Sequence, residues 1–150
     1  MSPPHQCVFC DISQHNLASV RLYEDKHCFI ILDKFPLQRG HLLIIPHHHE
    51  EFENKLPLDL KHHLLKMVTK TNEAVLKSTE VNCQATHVML HNGKTSGQHI
   101  QHVHWHIIPR YKNDWLTVIG NLLFRFWNPF NHFKAPNETA MVNDLKRLLQ

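Results

Sequence analysis

Histidine occupies every second position in "HVHWHII", residues 102–108, with Val103, Trp105 and Ile107 set between and after His102, His104 and His106. In an extended strand successive side chains point to opposite faces, so this spacing puts three imidazoles on one face and three apolar residues on the other. Same-face neighbours lie roughly 6.6 Å apart along a strand, close enough for two rings to address one bound group. Three readings fit. The rings could all hold one metal with an open position, as in zinc hydrolases. One ring could be a nucleophile that the others support. Or the row could be an idle polar face, which its apolar backing disfavours.

A second group bears on the choice. "CVFC" places Cys7 and Cys10 at a spacing that supplies two thiolates of a tetrahedral zinc site. His49, after one apolar strand-like run, and His102, at the start of another, are candidates to complete it. A shell of Cys7, Cys10, His49 and His102 would be closed, hence structural, and would leave His104 and His106 for chemistry. A redox role for the cysteine pair is the weaker alternative, because the pair does not open a helix after a parallel strand.

The elements that must position these groups are legible in outline. The chain has 150 residues, 42% of them hydrophobic and 19% charged, which suits one folded domain with its own core. A net charge of +3 permits anionic substrates, and no Lys/Arg run of the kind that tracks a nucleic-acid backbone is present. "SVRLYED" and "HCFIILD" predict a hairpin, "GHLLIIP" a third strand, "ATHVMLHNG" a fourth and "IQHVHWHIIPR" a fifth. Leu60, Leu64, Val68, Thr71 and Val75 follow helical spacing within 57–79. Asn137 is placed to cap a second helix with Met141, Leu145 and Leu148 on one side. The expectation is an α+β single domain: a mainly antiparallel five-stranded sheet with two helices. Residues 110–136 are the least legible. Their apolar run, 115–127, is too short to span a bilayer and reads as buried or facing a partner subunit. "MSPPHQ" lacks the charged and apolar regions of a secretory leader, so a cytoplasmic protein with reduced thiols is expected.

Taken together, "CVFCDI", "LYEDKHCFIILDKFPLQRGHLLIIPHHHEEF", "HNGKTSGQ" and "HVHWHIIPRY" resemble the histidine-triad superfamily, and within it the small nucleotide hydrolases. The similarity covers residues 7–113; 114–150 is only a loosely similar tail. The resemblance implies an HIT-like fold, usually a homodimer, acting on the α-phosphate of AMP-containing nucleotides such as phosphoramidates or dinucleoside polyphosphates. By it His104 is the nucleophile and forms a nucleotidyl-histidine, while His106 donates to the phosphate oxygens. Gly97, Gln98 and residue 99 cradle the phosphate, Asp33 meets the ribose hydroxyls, Phe9 and Ile12 meet the base, and His41 lies near the centre. Positively charged neighbours would help to keep a nucleophilic imidazole unprotonated. A P-loop is absent from the sequence. The chain departs from the family pattern at His99, where a hydroxyl residue is usual, and at His91, where an amide is usual. Both add groups that can acquire positive charge, which points towards anionic leaving groups. Two other readings remain open on the sequence: a nucleotide-binding module with little turnover, and a zinc hydrolase using all three imidazoles on one metal.

Overall fold

The computed structural model describes residues 7–127 and 138–150. Five strands form one antiparallel sheet: β1 (Arg21–Glu24), β2 (Cys28–Leu32), β3 (Leu42–Pro46), β4 (Ala85–Leu90) and β5 (Trp105–Arg110), in the order β1-β2-β3-β5-β4. The pleat sorts the core into two layers. Ile30, Leu42, Ile44, Val103 and Ile107 face α2 (Leu58–Lys77) and α4 (Glu138–Leu149). Phe29, Ile31, Leu43 and Ile45 face the opposite way and pack with Phe9 and Ile12 of α1 (Val8–Ser13). Both faces are covered, which is why β2 and β3 read as continuous apolar runs and not as alternating ones.

α2 buries Leu64, Met67, Val68, Thr71, Ala74 and Val75, a stripe at 3–4 residue spacing. α4 buries Met141, Leu145 and Leu149, leaving Leu148 half-buried, so the inward stripe falls on a strict four-residue step. The Asn137 cap lies outside the described residues.

Two expectations need correction. There are four α-helices among the described residues, not two: α1 and α3 (Trp115–Trp127) join the pair foreseen. Trp115, Leu116, Ile119 and Leu123 on the apolar run of α3 are exposed on this chain, which departs from the buried alternative and leaves the partner-facing one. The fifth strand is shorter than its sequence pattern, beginning at Trp105. Just upstream, the Val103 N–H leaves the sheet ladder and donates to the Glu50 carbonyl at 2.7 Å.

The β1–β2 turn is built on one carboxylate. Asp25 Oδ1 accepts from the His27 and Cys28 N–H groups (2.8 and 2.9 Å), and Oδ2 accepts from His63 Nε2 (2.8 Å) and the Tyr23 hydroxyl (3.1 Å). Burial alone would raise its pKa; these donors overcome that and hold it at about 2, below the usual 3.8. A depressed carboxylate pKa stabilises the fold above the unfolded value and loses that contribution as pH falls towards the folded one. Asp25→Ala is therefore expected to cost about 2 kcal/mol in urea unfolding at pH 7. The substitution should also remove much of the drop in stability between pH 4 and pH 2.

Candidate active site and metal centre

The cavity face of the sheet carries the chemistry. A cavity of about 1000 Å³ opens over it, lined among others by Phe9, Ile12, Asp33, His41, His91, Gly97, His99, His104 and His106. β5 sits between β3 and β4, with His106 opposite Leu43 on one side and Met89 on the other. The imidazoles thus occupy the middle of the cavity floor. His104 and His106 are buried, with ring centroids 4.8 Å apart, and the Phe9 ring stands edge-on to His104 with centroids 5.0 Å apart.

Hydrogen bonds to groups of fixed polarity settle the tautomers. His104 Nδ1 lies 2.7 Å from the His102 carbonyl, which can only accept, so Nδ1 carries the proton and the neutral ring keeps its lone pair on Nε2. His106 has the opposite proton placement, fixed through His41. The Leu37 N–H donates to His41 Nδ1 at 3.1 Å, so His41 is protonated on Nε2 and donates to His106 Nδ1 at 2.9 Å. That leaves the His106 proton on Nε2, an atom that is buried and has no hydrogen-bond partner among the described residues. An orphaned buried donor costs on the order of 1–3 kcal/mol and marks a place prepared for a ligand. Burial, reinforced by His41 and His104, lowers the His106 pKa to about 2 despite the opposing pull of Asp33, which lies 3.4 Å from His41 Nδ1. His106 is consequently a neutral donor across the working pH range.

The loop after β4 closes the cavity rim. The His91 ring stands 5.2 Å from His106, with its Nδ1 proton donated to the Ser96 carbonyl. Gly97 takes φ +93°, in the left-handed region, directly beneath that ring, where an added Cβ would meet it at 3.5 Å. Gln98 departs from its expected role. Its side chain is not on the cavity wall but braces the loop, accepting from the Gly93 N–H at 2.6 Å and donating to the Glu51 carbonyl at 2.9 Å. An amide offers both a donor and an acceptor, and both are used here on the backbone.

His102 serves a separate centre. Its Nε2 proton goes to the Pro46 carbonyl at 2.9 Å, which turns Nδ1 towards Cys7 Sγ (3.4 Å), Cys10 Sγ (3.7 Å) and His49 Nδ1 (3.2 Å). Cys10 Sγ and His49 Nδ1 are 3.3 Å apart. A tetrahedral zinc with ordinary Zn–S and Zn–N bonds needs donor separations of roughly 3.3–3.8 Å. The four donors fit, and the Pro46 carbonyl supplies the outer hydrogen bond that orients a ligating histidine. Burial, then Cys7, pushes the Cys10 thiol up to about 12, the behaviour of a sulfur that a cation would convert to thiolate. The three triad rings do not converge on one point. His102 groups with Cys7, Cys10 and His49, whereas His106 groups with His41 and Asp33. One metal held by all three triad histidines is not the arrangement seen.

Residues 14–113 match the HIT domain family. The chain belongs to that family. Among its relatives, adenosine 5'-monophosphoramidase HNT1 of Candida albicans is 34% identical over 123 residues, covering 80% of this chain and 79% of the relative. Adenylylsulfatase HINT3 of Arabidopsis thaliana is 37% identical over 118 residues, covering 79% of this chain but 59% of its own length. A zinc-bound histidine triad family protein from Mycobacterium smegmatis shares the fold with a TM-score of 0.78 at 24% identity, over 98% of this chain and 95% of that one. The HIT family and the HIT fold are thereby placed. Sequence reasoning missed part of this HIT protein's cavity, namely the α3 wall made by Thr117 and Asn121, the latter bonded to the Leu37 carbonyl at 2.9 Å. Nothing in the types Thr and Asn signals such a position. It also missed the Leu37 N–H that sets the His41–His106 tautomers, because a backbone donor leaves no trace in residue type.

Proposed function

We propose that this HIT protein cleaves AMP-containing nucleotides at the α-phosphorus through a covalent nucleotidyl-His104 intermediate. The supporting observation is the pairing of complementary nitrogens. His104 is locked with its lone pair on Nε2, and the adjacent His106 holds an unpartnered Nε2 proton. A nucleophile beside a preorganised donor is what displacement at phosphorus requires. His104 Nε2 attacks phosphorus, the leaving group departs on the far side, and water then releases AMP by the reverse geometry. His106 Nε2–H bonds the phosphoryl oxygens as their charge grows. Asp33 receives the ribose hydroxyls, and Phe9 and Ile12 hold a purine. Gly97 and the backbone at residue 99 approach the phosphate from the rim.

Zinc fits the cluster of Cys7, Cys10, His49 and His102 and has a structural part. Zinc held by these four residues would have a full set of protein ligands, so its contribution would be structural and not that of a Lewis acid. The four cysteines are free thiols, a state a cytoplasmic location would preserve. No described helix is long and apolar enough to cross a membrane. The open edge of β4, with Val88 exposed, and the exposed Leu65 and Leu76 of α2 offer a surface for a homodimer.

His91 and His99 line the cavity rim, and with imidazoles in place of the amide and hydroxyl usual in the family they favour an anionic leaving group. The expected result is a kcat/KM for a diadenosine polyphosphate at least equal to that for an adenosine phosphoramidate. A strong preference for the phosphoramidate at every pH would remove this part of the reading. AMP binding without turnover of either substrate would replace the enzyme by a nucleotide-binding module.

A further inference from the structure

The metal centre and the reaction centre share a residue. His102 presents its ring to the four-donor cluster, and its own carbonyl, 2.7 Å away, holds the Nδ1 proton of His104. The nucleophile's tautomer is therefore set by the backbone of a metal ligand.

The nucleoside wall is tied to the same point. Phe9 and Ile12 sit on α1, a helix of only six residues with no side-chain cap at its N-terminus. An isolated helix of that length does not hold itself together in water. Its C-terminal end is fastened by Arg21 to the Ile12 carbonyl (2.6 Å) and by Ser13 to His47 (2.7 Å). Its N-terminal end, Cys7 and Cys10, meets the cluster. His49 arrives from the segment after β3, whose next residue, Glu50, accepts the Val103 N–H at 2.7 Å. Three separate pieces of chain thus converge on four donors beside the nucleophile: α1, the stretch after β3 and the stretch before β5. The large core under α2 and α4 lies on the opposite sheet face and contains none of these ligands.

We infer that Cys7, Cys10 and His49 are positioning residues for the reaction. Metal held by them and His102 fixes both the nucleoside wall and the His104 tautomer. The inference rests on the nucleotidyl-histidine reading and extends it. Loss of the metal should leave a folded protein with a disabled cavity, so zinc supply would govern activity without unfolding the chain.

The test compares the full chain as isolated, after chelation and after zinc reloading. The four readouts are metal content, the ¹⁵N imidazole spectrum assigned with a His104→Gln sample, AMP affinity by calorimetry, and far-ultraviolet circular dichroism. About one zinc per chain is expected at the start. Chelation should remove the single Nδ1-protonated signature of His104 and weaken AMP roughly tenfold or more, with the dichroism largely kept and reloading restoring both. His49→Ala should show the same changes in milder form. Retention of the His104 signature and of AMP affinity within about twofold in the stripped protein would overturn the inference, as would collapse of the whole fold. Protein isolated without metal and unable to take up zinc would refute the metal assignment itself. The spectrum and AMP affinity do not require turnover, so they separate failure of this inference from failure of the catalytic reading.

Discussion

His104→Ala is expected to reduce turnover of an AMP-containing substrate by roughly a thousandfold or more while nucleotide affinity changes little. The reasoning is local. The substitution deletes the proposed attacking Nε2 and one hydrogen bond, from Nδ1 to the His102 carbonyl. It leaves Phe9, Ile12, Asp33 and His106 to bind the product, and the four sulfur and nitrogen donors of the metal cluster to hold zinc. Single-turnover kinetics, AMP calorimetry and metal analysis on one preparation separate the cases. A variant that loses its metal along with activity would point to a metal-bound triad. A variant that keeps a tenth of the activity would remove His104 from the reaction.

His106→Ala should lower kcat by about a hundred- to a thousandfold, the usual effect of losing one preorganised donor to a developing oxyanion. Here the donor is buried and unpartnered before substrate arrives, so its cost is already paid in the folded protein. The effect should fall mainly on kcat, since the charge it meets grows in the transition state. Because His106 has a pKa near 2, it should contribute no acid limb to the pH–rate profile above about pH 3. The same shift has a stability consequence with a definite sign. A histidine whose folded pKa lies below its unfolded value of 6.5 binds fewer protons folded than unfolded, so stability declines as pH drops from about 6.5 towards 2. His106→Ala should flatten part of that decline.

Much of the site could be read from residue types at fixed spacing. Of the alternating histidines, His106 lies on the foreseen strand while His102 and His104 lie just upstream of it, and Cys7, Cys10, His49 and His102 come together as the foreseen group of four donors. The hairpin, the third and fourth strands and the 57–79 helix followed from apolar period and turn residues. What escaped has a common physical cause. The start of β5 depends on where the Val103 N–H finds its acceptor, and every residue carries such an N–H. The tautomers of His41, His104 and His106 depend on the Leu37 N–H and the His102 carbonyl, again backbone groups. Gln98 after Gly97 looks like a phosphate ligand by position, yet the loop's tight turn absorbs both ends of its amide. α3 escaped because an apolar run of 13 residues fits a buried strand, a buried helix or an interface equally well, and its exposed Trp115 and Leu116 are decided by what packs against them.

The central claim is a bond between His104 Nε2 and phosphorus. It is tested most directly by mixing the zinc-loaded protein with an α-³²P-labelled AMP phosphoramidate, quenching within one turnover, and mapping the labelled peptide. The account predicts acid-labile, base-stable label on His104, absent from the His104→Ala protein. Label on another residue, or full turnover with no protein-bound label at any quench time, would contradict it.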